Sequence, residues 1–163
     1  MTVIAAAINK TGYSIAGDSG AFEGSISMTL DEPKVFKVDP WLVGVCGSLK
    51  IMEIARVSNI GEPYALRDLI AKEIAGLNVE LGGWNILCVS PDGIWEIAED
   101  LSVASFKQPY AVIGQSDIAL GSLASLSRLT SMSTKDMVQE TVKTCTLHNV
   151  YCQGPIKVIS VNL

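Results

Sequence analysis

The fold is decided by the stretch that opens the chain, TVIAAAINKTGYSIAGD at residues 2–18. Two apolar runs, residues 2–9 and 13–17, flank the turn sequence NKTG at residues 9–12, which is the pattern of a β-hairpin. The first run has neither the charged start nor the long apolar core of a signal peptide. We therefore interpret it as a strand and not as a targeting segment.

The second position of the chain is a threonine, directly after the initiator Met1. Methionine removal is favoured when the next side chain is small, so we expect a mature chain that begins with Thr2. Such a residue carries both a hydroxyl and a free α-amine, whose reference pKa is about 7.7–8.0. The amine can then act as the base that activates the hydroxyl of the same residue.

Composition narrows the class of protein. The 163 residues are predicted to form a single domain, residues 1–163, with a substantial core. A net charge of −5 and scattered Lys and Arg residues argue against nucleic acid and against an anionic membrane surface. No apolar run approaches the roughly 18 residues that span a bilayer. We expect a cytoplasmic protein whose 48% hydrophobic residues cover sheet faces and subunit interfaces.

The thiols and the imidazole give no metal or cofactor site. None of the four cysteines forms a CxxC pair, so we predict reduced, buried thiols. His148 is the single histidine, which excludes a multi-histidine metal site, and no cofactor is predicted. A Cys–His hydrolase that uses His148 stays open, although the sequence offers no third partner.

The rest of the chain alternates groups of strands with pairs of helices. We predict strands at residues 25–30, 34–38, 41–46, 84–89, 94–97, 110–113 and 155–161, and loops at 18–24 and 102–108. Helical spacing predicts helices after residues 47–48, at 66–77, at 119–129 and from an N-cap at 133 through 145. Because the helices come in pairs, we predict an α+β fold, a four-layer αββα sandwich of two antiparallel sheets between helix pairs.

Three polar residues follow one another at an interval of sixteen: Thr2 begins a predicted strand, Asp18 ends its hairpin partner, and Lys34 begins a later strand. A lysine ammonium near Thr2 would keep the α-amine neutral and stabilise an alkoxide, and a carboxylate would keep that lysine charged and oriented.

Together these residues resemble the Ntn-hydrolase superfamily, namely proteasome β-subunits and HslV-type peptidases. The resemblance rests on the Thr2 start, on IAGD at residues 15–18 followed by Gly24, on the spacing to Lys34, and on GVCGS at residues 44–48. YAVIG at 110–114 followed by ALG at 119–121 is similar to the family's second half, and NVYCQGP at 149–155 is similar to its last turn.

The resemblance implies roles for particular residues. The expected catalytic set is Thr2, Asp18, Lys34, Gly44 as the oxyanion donor, Ser116 (with Gln115 as the alternative) and Asn149. Asn149 stands where many relatives have an aspartate, and Cys152 where they have a serine. Phe22, Gly47 and Ser48 are expected to contact substrate.

The resemblance also implies an activity and partners. We expect a threonine peptidase that cleaves unfolded peptides through an acyl-enzyme on Thr2, inside a homo-oligomeric ring of six or seven chains, single or stacked. A separate AAA+ ATPase would supply the substrate, since this chain has no GxxxxGK[ST] motif. The alternatives are an inactive scaffold of the same fold with Met1 retained, because an amide nitrogen is no base, and an Ntn amidase for small molecules.

Overall fold

The computed structural model describes residues 2–23, 26–77, 81–114, 116–129 and 131–163. Eleven strands and four helices fall in these ranges. The strands are β1 (Val3–Asn9), β2 (Gly12–Gly17), β3 (Gly20–Glu23), β4 (Ile26–Thr29), β5 (Val35–Val38), β6 (Trp41–Cys46), β7 (Asn85–Ser90), β8 (Gly93–Ala98), β9 (Val103–Ser105), β10 (Tyr110–Gly114) and β11 (Lys157–Asn162). The helices are α1 (Leu49–Ser58), α2 (Pro63–Ala75), α3 (Ser116–Leu129) and α4 (Thr134–His148).

The first hairpin forms the centre of a four-stranded antiparallel sheet with the order β10-β1-β2-β11. Its turn is closed by Asn9, whose Oδ1 accepts hydrogen bonds from the backbone N–H groups of Thr11 (2.9 Å) and Gly12 (3.1 Å). A Cβ on Gly12 would lie 2.4 Å from the carbonyl oxygen of Val161, so a side chain at this position would block the approach of β11. The predicted hairpin is confirmed.

The second large sheet has five antiparallel strands in the order β5-β6-β7-β8-β9. Its β7–β8 hairpin turns at residues 91–92, where the sequence S-P-D-G indicates a β-turn.

The two sheets pack face to face, and a helix pair covers each outer face. One cluster of buried side chains fills the space between the sheets, and includes Ile4, Ile15, Leu42 and Leu87. Two further clusters lie under α3 and α4 and under α1 and α2. Both faces of β1 are therefore buried, which accounts for its unbroken apolar sequence. The predicted four-layer αββα sandwich is confirmed.

Two segments predicted as loops contain strands. Within residues 18–24, β3 pairs with β4 in a separate two-stranded sheet. Within residues 102–108, β9 adds a short edge strand beside β8. In both segments the pairing with a neighbouring strand decides the conformation, and not the local composition.

The predicted N-cap of α4 is confirmed, whereas α2 and α3 each begin three residues before their predicted starts. Ser48 caps α1, and Ser133 caps α4 with its Oγ accepting from the Asp136 N–H at 3.1 Å. All four cysteines are free and buried, as predicted. In the described part of the chain, no helix combines the length and the apolar character needed to cross a bilayer.

Candidate active site

Thr2, Asp18 and Lys34 meet where the two sheets come together. Thr2 precedes β1 and Asp18 follows β2, and the antiparallel pairing of these strands brings the two residues side by side. Lys34 precedes β5 of the other sheet. Its Nζ donates to Thr2 Oγ1 at 2.6 Å and lies 3.2 Å from each carboxylate oxygen of Asp18. The predicted grouping of the three side chains is present.

The Asp18 carboxylate is held by backbone groups from three segments. Oδ1 accepts from the N–H of Val3 at 3.0 Å, and Oδ2 accepts from the N–H groups of Gly20 at 3.0 Å and Gln153 at 3.3 Å. The Asp18 side chain is fully removed from solvent. Charge-assisted bonds of this kind fix a carboxylate in place, so Asp18 offers Lys34 a rigid anionic partner.

Lys34 is also almost completely buried, with 5% of its side chain exposed. Besides Thr2 and Asp18, its ammonium donates to the carbonyl oxygen of Gly20. Burial lowers the pKa of Lys34 from its ordinary value, and the neighbouring Asp18 carboxylate offsets part of that effect. The cation is therefore held beside the threonine hydroxyl with its three protons directed at protein oxygens.

A cavity of about 420 Å³ opens beside Thr2. Thr2, Lys34 and Gly47 form its polar side. The remaining lining residues, apart from Gly20, are apolar: Ala21, Phe22, Met28, Leu30 and Leu49. The cavity therefore pairs a nucleophile and a cation with an apolar wall.

Two of the three residues predicted to contact substrate line the cavity. Phe22 and Gly47 line the cavity. Ser48 is not among the lining residues of the described chain, and its Oγ instead accepts from the Ile51 N–H at the start of α1.

Gly44, the predicted oxyanion donor, does not line the cavity. Gly44 lies inside β6, between Val35 and Leu87, and a Cβ there would be 2.6 Å from Ile4 Cγ2 in the core between the sheets. The glycine that lines the Thr2 cavity is Gly47, just past the end of β6, with φ +90°. Its left-handed conformation and the nearby Gly83 carbonyl, 2.0 Å from a built Cβ, require a glycine.

The turn after β10 also lies against Thr2. Gly114 has φ +84°, and a Cβ on it would lie 2.0 Å from the Thr2 carbonyl oxygen, so only glycine permits this approach. Ser116 begins α3 two residues later. The side chain of Ser116 and the whole of Gln115 lie outside the described residues, as does Gly24.

Asn149 and Cys152 belong to the last turn. Asn149 ends α4, and its Oδ1 accepts from the Tyr151 N–H at 2.9 Å. Cys152 is fully buried, and burial raises the pKa of its thiol to about 12. The turn continues to Gln153, which contributes the N–H bonded to Asp18.

Two contributors to the site have no signal in the sequence. Gly20 bonds to both Asp18 and Lys34, and Gln153 bonds to Asp18, in each case through backbone groups. Because any residue type supplies such groups, side-chain chemistry could not identify these positions.

The cysteines do not offer a rival nucleophile. Cys145 is fully buried, and burial raises the pKa of its thiol, whereas His148 is exposed. A neutral buried thiol is a poor nucleophile. Across the described ranges, no group of three or more His, Cys, Asp or Glu side chains is placed to hold a metal ion.

The chain is similar to known proteins in its structure. No protein-family model and no curated protein sequence matches the chain. Among solved structures, Thiobacillus denitrificans BPH in complex with epoxomicin has a TM-score of 0.85 at 15% identity, covering 99% of this chain and 98% of that one. Trypanosoma brucei HslV has a TM-score of 0.78 at 17% identity and covers 99% of both chains. Anbu from Yersinia bercovieri has a TM-score of 0.75 at 15% identity, covering 98% and 81%. The chain has the Ntn-hydrolase fold of proteasome-like proteins.

Proposed function

We propose that this chain is an N-terminal threonine peptidase in which Thr2, exposed as the first residue once Met1 is removed, is the nucleophile. The observation that supports the proposal is the hydrogen bond of 2.6 Å from Lys34 Nζ to Thr2 Oγ1, within a buried ion pair with Asp18. Burying an ammonium is costly unless it is paired. Buried, perturbed charges that face a cavity are characteristic of functional sites.

The proposed reaction uses groups of Thr2 for both bond formation and proton transfer. Thr2 Oγ bonds to the peptide carbonyl carbon, and its proton passes to the free α-amine. The amine returns that proton to the leaving nitrogen as the peptide bond breaks, which leaves an ester on Thr2. A water then attacks the ester, the acid product leaves, and Oγ regains a proton. Lys34 keeps the amine neutral and stabilises charge on Oγ throughout.

We assign the oxyanion role to the backbone N–H of Gly47, because Gly47 lines the Thr2 cavity and Gly44 does not. A donor of this kind typically contributes about 2.7–4 kcal/mol to transition-state stabilisation.

Residues from the second half of the chain would help to position the groups around Thr2. We propose that Ser116, which follows the turn beside Thr2, completes the hydrogen bonding of the α-amine, with Gln115 as the alternative. Asn149 would act through the last turn, since its Oδ1 bonds to Tyr151 and this turn presents Gln153 to Asp18.

We propose an unfolded peptide as the substrate, with an apolar side chain seated against Phe22, Met28 and Leu49. We also propose a cytoplasmic homo-oligomeric ring of six or seven chains, single or stacked, supplied by a separate AAA+ ATPase. The support for the ring is the fold shared with HslV and Anbu.

Removal of Met1 is tested by intact-mass spectrometry of protein expressed in a bacterial cytosol. We expect the mass of a chain that begins at Thr2. The same preparation should hydrolyse fluorogenic peptides, and epoxomicin, which is bound in the BPH structure, should inhibit it. Retention of Met1 in all molecules would instead support the inactive scaffold.

A further inference from the structure

Lys34 follows a short bend, and its own carbonyl oxygen accepts a hydrogen bond from the N–H of Val45 at 3.0 Å. Residues 31–33, immediately before Lys34, belong to no strand or helix. Within the ranges that the structure describes, Arg56 is the one side chain that bonds to this bend. Its guanidinium donates to the carbonyl oxygen of Pro33 and forms an ion pair with Glu32.

Arg56 also contacts the strand that follows Lys34. Its guanidinium carbon lies 5.4 Å from the centre of the Phe36 ring, within the range of a cation–π contact. The Arg56 side chain is 24% exposed whereas that of Glu32 is 72% exposed, so the contacts with Pro33 and Phe36 are better shielded from water than the ion pair. One planar guanidinium thus holds the chain on both sides of Lys34, which suits the several donors and the flat face of arginine.

Helix α1 joins this contact to the cavity. Its N-cap, Ser48, directly follows Gly47, which lines the Thr2 cavity, and Arg56 lies in its last turn. The same helix therefore fixes the proposed oxyanion donor at one end and the approach to Lys34 at the other.

We propose that Arg56 is a positioning residue, which holds the bend at residues 31–33 so that the Lys34 ammonium reaches Thr2 Oγ1. Its effect on turnover rests on the proposed peptidase function. Its effect on the location of Lys34 does not, and the two can be measured separately.

The variants are Arg56→Gln and Arg56→Lys, with Arg67→Gln as the matched control. Arg67 on α2 also has a carboxylate partner, Asp68 at 2.6 Å, and an aromatic neighbour, Tyr64 at 5.5 Å, but it contacts nothing next to Lys34. We expect Arg56→Gln to lower kcat about 10- to 100-fold with little change in KM, since misplacing a reacting group by about 1 Å costs that much.

The Arg56→Lys variant distinguishes the effect of the guanidinium geometry from the effect of a positive charge at residue 56. Arg56→Lys keeps a cation beside Glu32 but loses the second donor and the planar face, so we expect it to recover part of kcat. Arg67→Gln should retain the kcat of the wild type.

The location of Lys34 is read by NMR titration of protein with ¹³C-labelled lysine, with the signal assigned by its loss in Lys34→Arg. The pKa of Lys34 should lie below the ordinary lysine value in the wild type and in Arg67→Gln. In Arg56→Gln it should rise toward that value, because the ammonium leaves its buried position. Should Arg56→Gln not fold, Glu32→Gln, which keeps the Pro33 contact, should show a smaller shift in the same direction.

Two results would overturn the proposal. One is a folded Arg56→Gln protein in which kcat and the Lys34 titration are both unchanged. The other is an equal loss of kcat in Arg67→Gln, which would indicate a general effect of removing a surface arginine. A wild type that hydrolyses no peptide, with a Lys34 titration that still moves in Arg56→Gln, would refute the peptidase function and support the positioning role.

Discussion

Lys34 is the residue whose burial most needs an explanation. Only 5% of its side chain is exposed, and the ammonium is paired with a buried carboxylate and not with a group on the surface. The Asp18 carboxylate, itself fixed by the backbone N–H groups of Val3, Gly20 and Gln153, keeps it charged. A purely structural ion pair would not need Thr2 as a further acceptor at 2.6 Å.

The lowered pKa of Lys34 predicts a loss of activity at alkaline pH. The proposed mechanism needs the charged ammonium, so kcat should fall as Lys34 loses its proton, at a pH below that of an ordinary lysine. Lys34→Ala should lower kcat about 100- to 1,000-fold, the usual effect of removing one electrostatic stabiliser. The pH profile of kcat is the measurement. Lys34→Arg, which stays charged, should retain only low activity, without this alkaline fall.

The titration of Lys34 should also change the free energy of unfolding with pH. Because the pKa is lower in the folded than in the unfolded chain, the unfolded chain binds more protons between those two values. The free energy of unfolding of the wild type should therefore rise with pH in that window, relative to Lys34→Met. A difference between the two proteins that stays constant with pH in urea titrations would contradict the assignment.

At the residue level, the sequence predicted which side chains meet at the candidate site. Thr2, Asp18 and Lys34 could be predicted because their types and spacing are unusual together. The segment GVCG contains two glycines, and the resemblance assigns the oxyanion role to Gly44, whereas Gly47 is the one that lines the cavity. Only the three-dimensional path of β6 separates them.

At the level of elements, the cavity is built by the β3–β4 pair and by the start of α1. Phe22 on β3, Met28 on β4 and Leu49 on α1 supply its apolar wall. The Phe22 ring is held edge-on by Tyr151 at 5.7 Å. Among the described residues that line the cavity, the one cation is Lys34 on the polar side, and it is already paired with Asp18, so these residues offer no free partner for a charged substrate side chain.

This wall predicts the substrate preference. A fluorogenic peptide with leucine at the residue that supplies the scissile carbonyl should have a kcat/KM about 100-fold above one with aspartate, of the order that pocket contacts allow. Leu49→Lys should lower this ratio of kcat/KM values, because the new ammonium can pair with the aspartate side chain of the substrate. Val57→Lys is the control, because Val57 is 75% exposed on the same helix and does not line the cavity. An unchanged ratio in Leu49→Lys would show that this wall does not contact substrate.

The elements themselves were predictable to different degrees. The helices follow from their spacing and from capping residues such as Ser48 and Ser133, which act locally. The sequence predicts a loop at β3 because the formation of this strand depends on pairing with β4 and not on its own four residues. Part of the cavity wall therefore lies on a strand that the local sequence pattern does not predict.

On the scale of the whole molecule, the outer helices carry apolar side chains that the sandwich leaves uncovered. Leu129 at the end of α3 is 78% exposed and Leu147 on α4 is 71% exposed, and in the other helix layer Val57 on α1 is 75% exposed. Single exposed apolar residues are ordinary, but several on both outer helix layers suit contacts between copies of the chain.

We predict that the protein forms a ring of six or seven chains in solution. Sedimentation or light scattering at micromolar concentration should give a single species of six or seven chain masses, or twice that for stacked rings. Leu147→Glu should weaken the assembly if α4 lies in an interface. A monodisperse monomer would contradict the ring.

The central claim is that Thr2 Oγ forms the covalent intermediate, and one measurement addresses it directly. The processed wild type, Thr2→Ala and Cys152→Ala are each mixed with a peptide ester and examined by intact-mass spectrometry in the first moments of reaction. We predict an acyl adduct that maps to residue 2 in the wild type and in Cys152→Ala, and none in Thr2→Ala, because no neighbouring group replaces the hydroxyl. An adduct and full turnover in Thr2→Ala, with both lost in Cys152→Ala, would contradict the account.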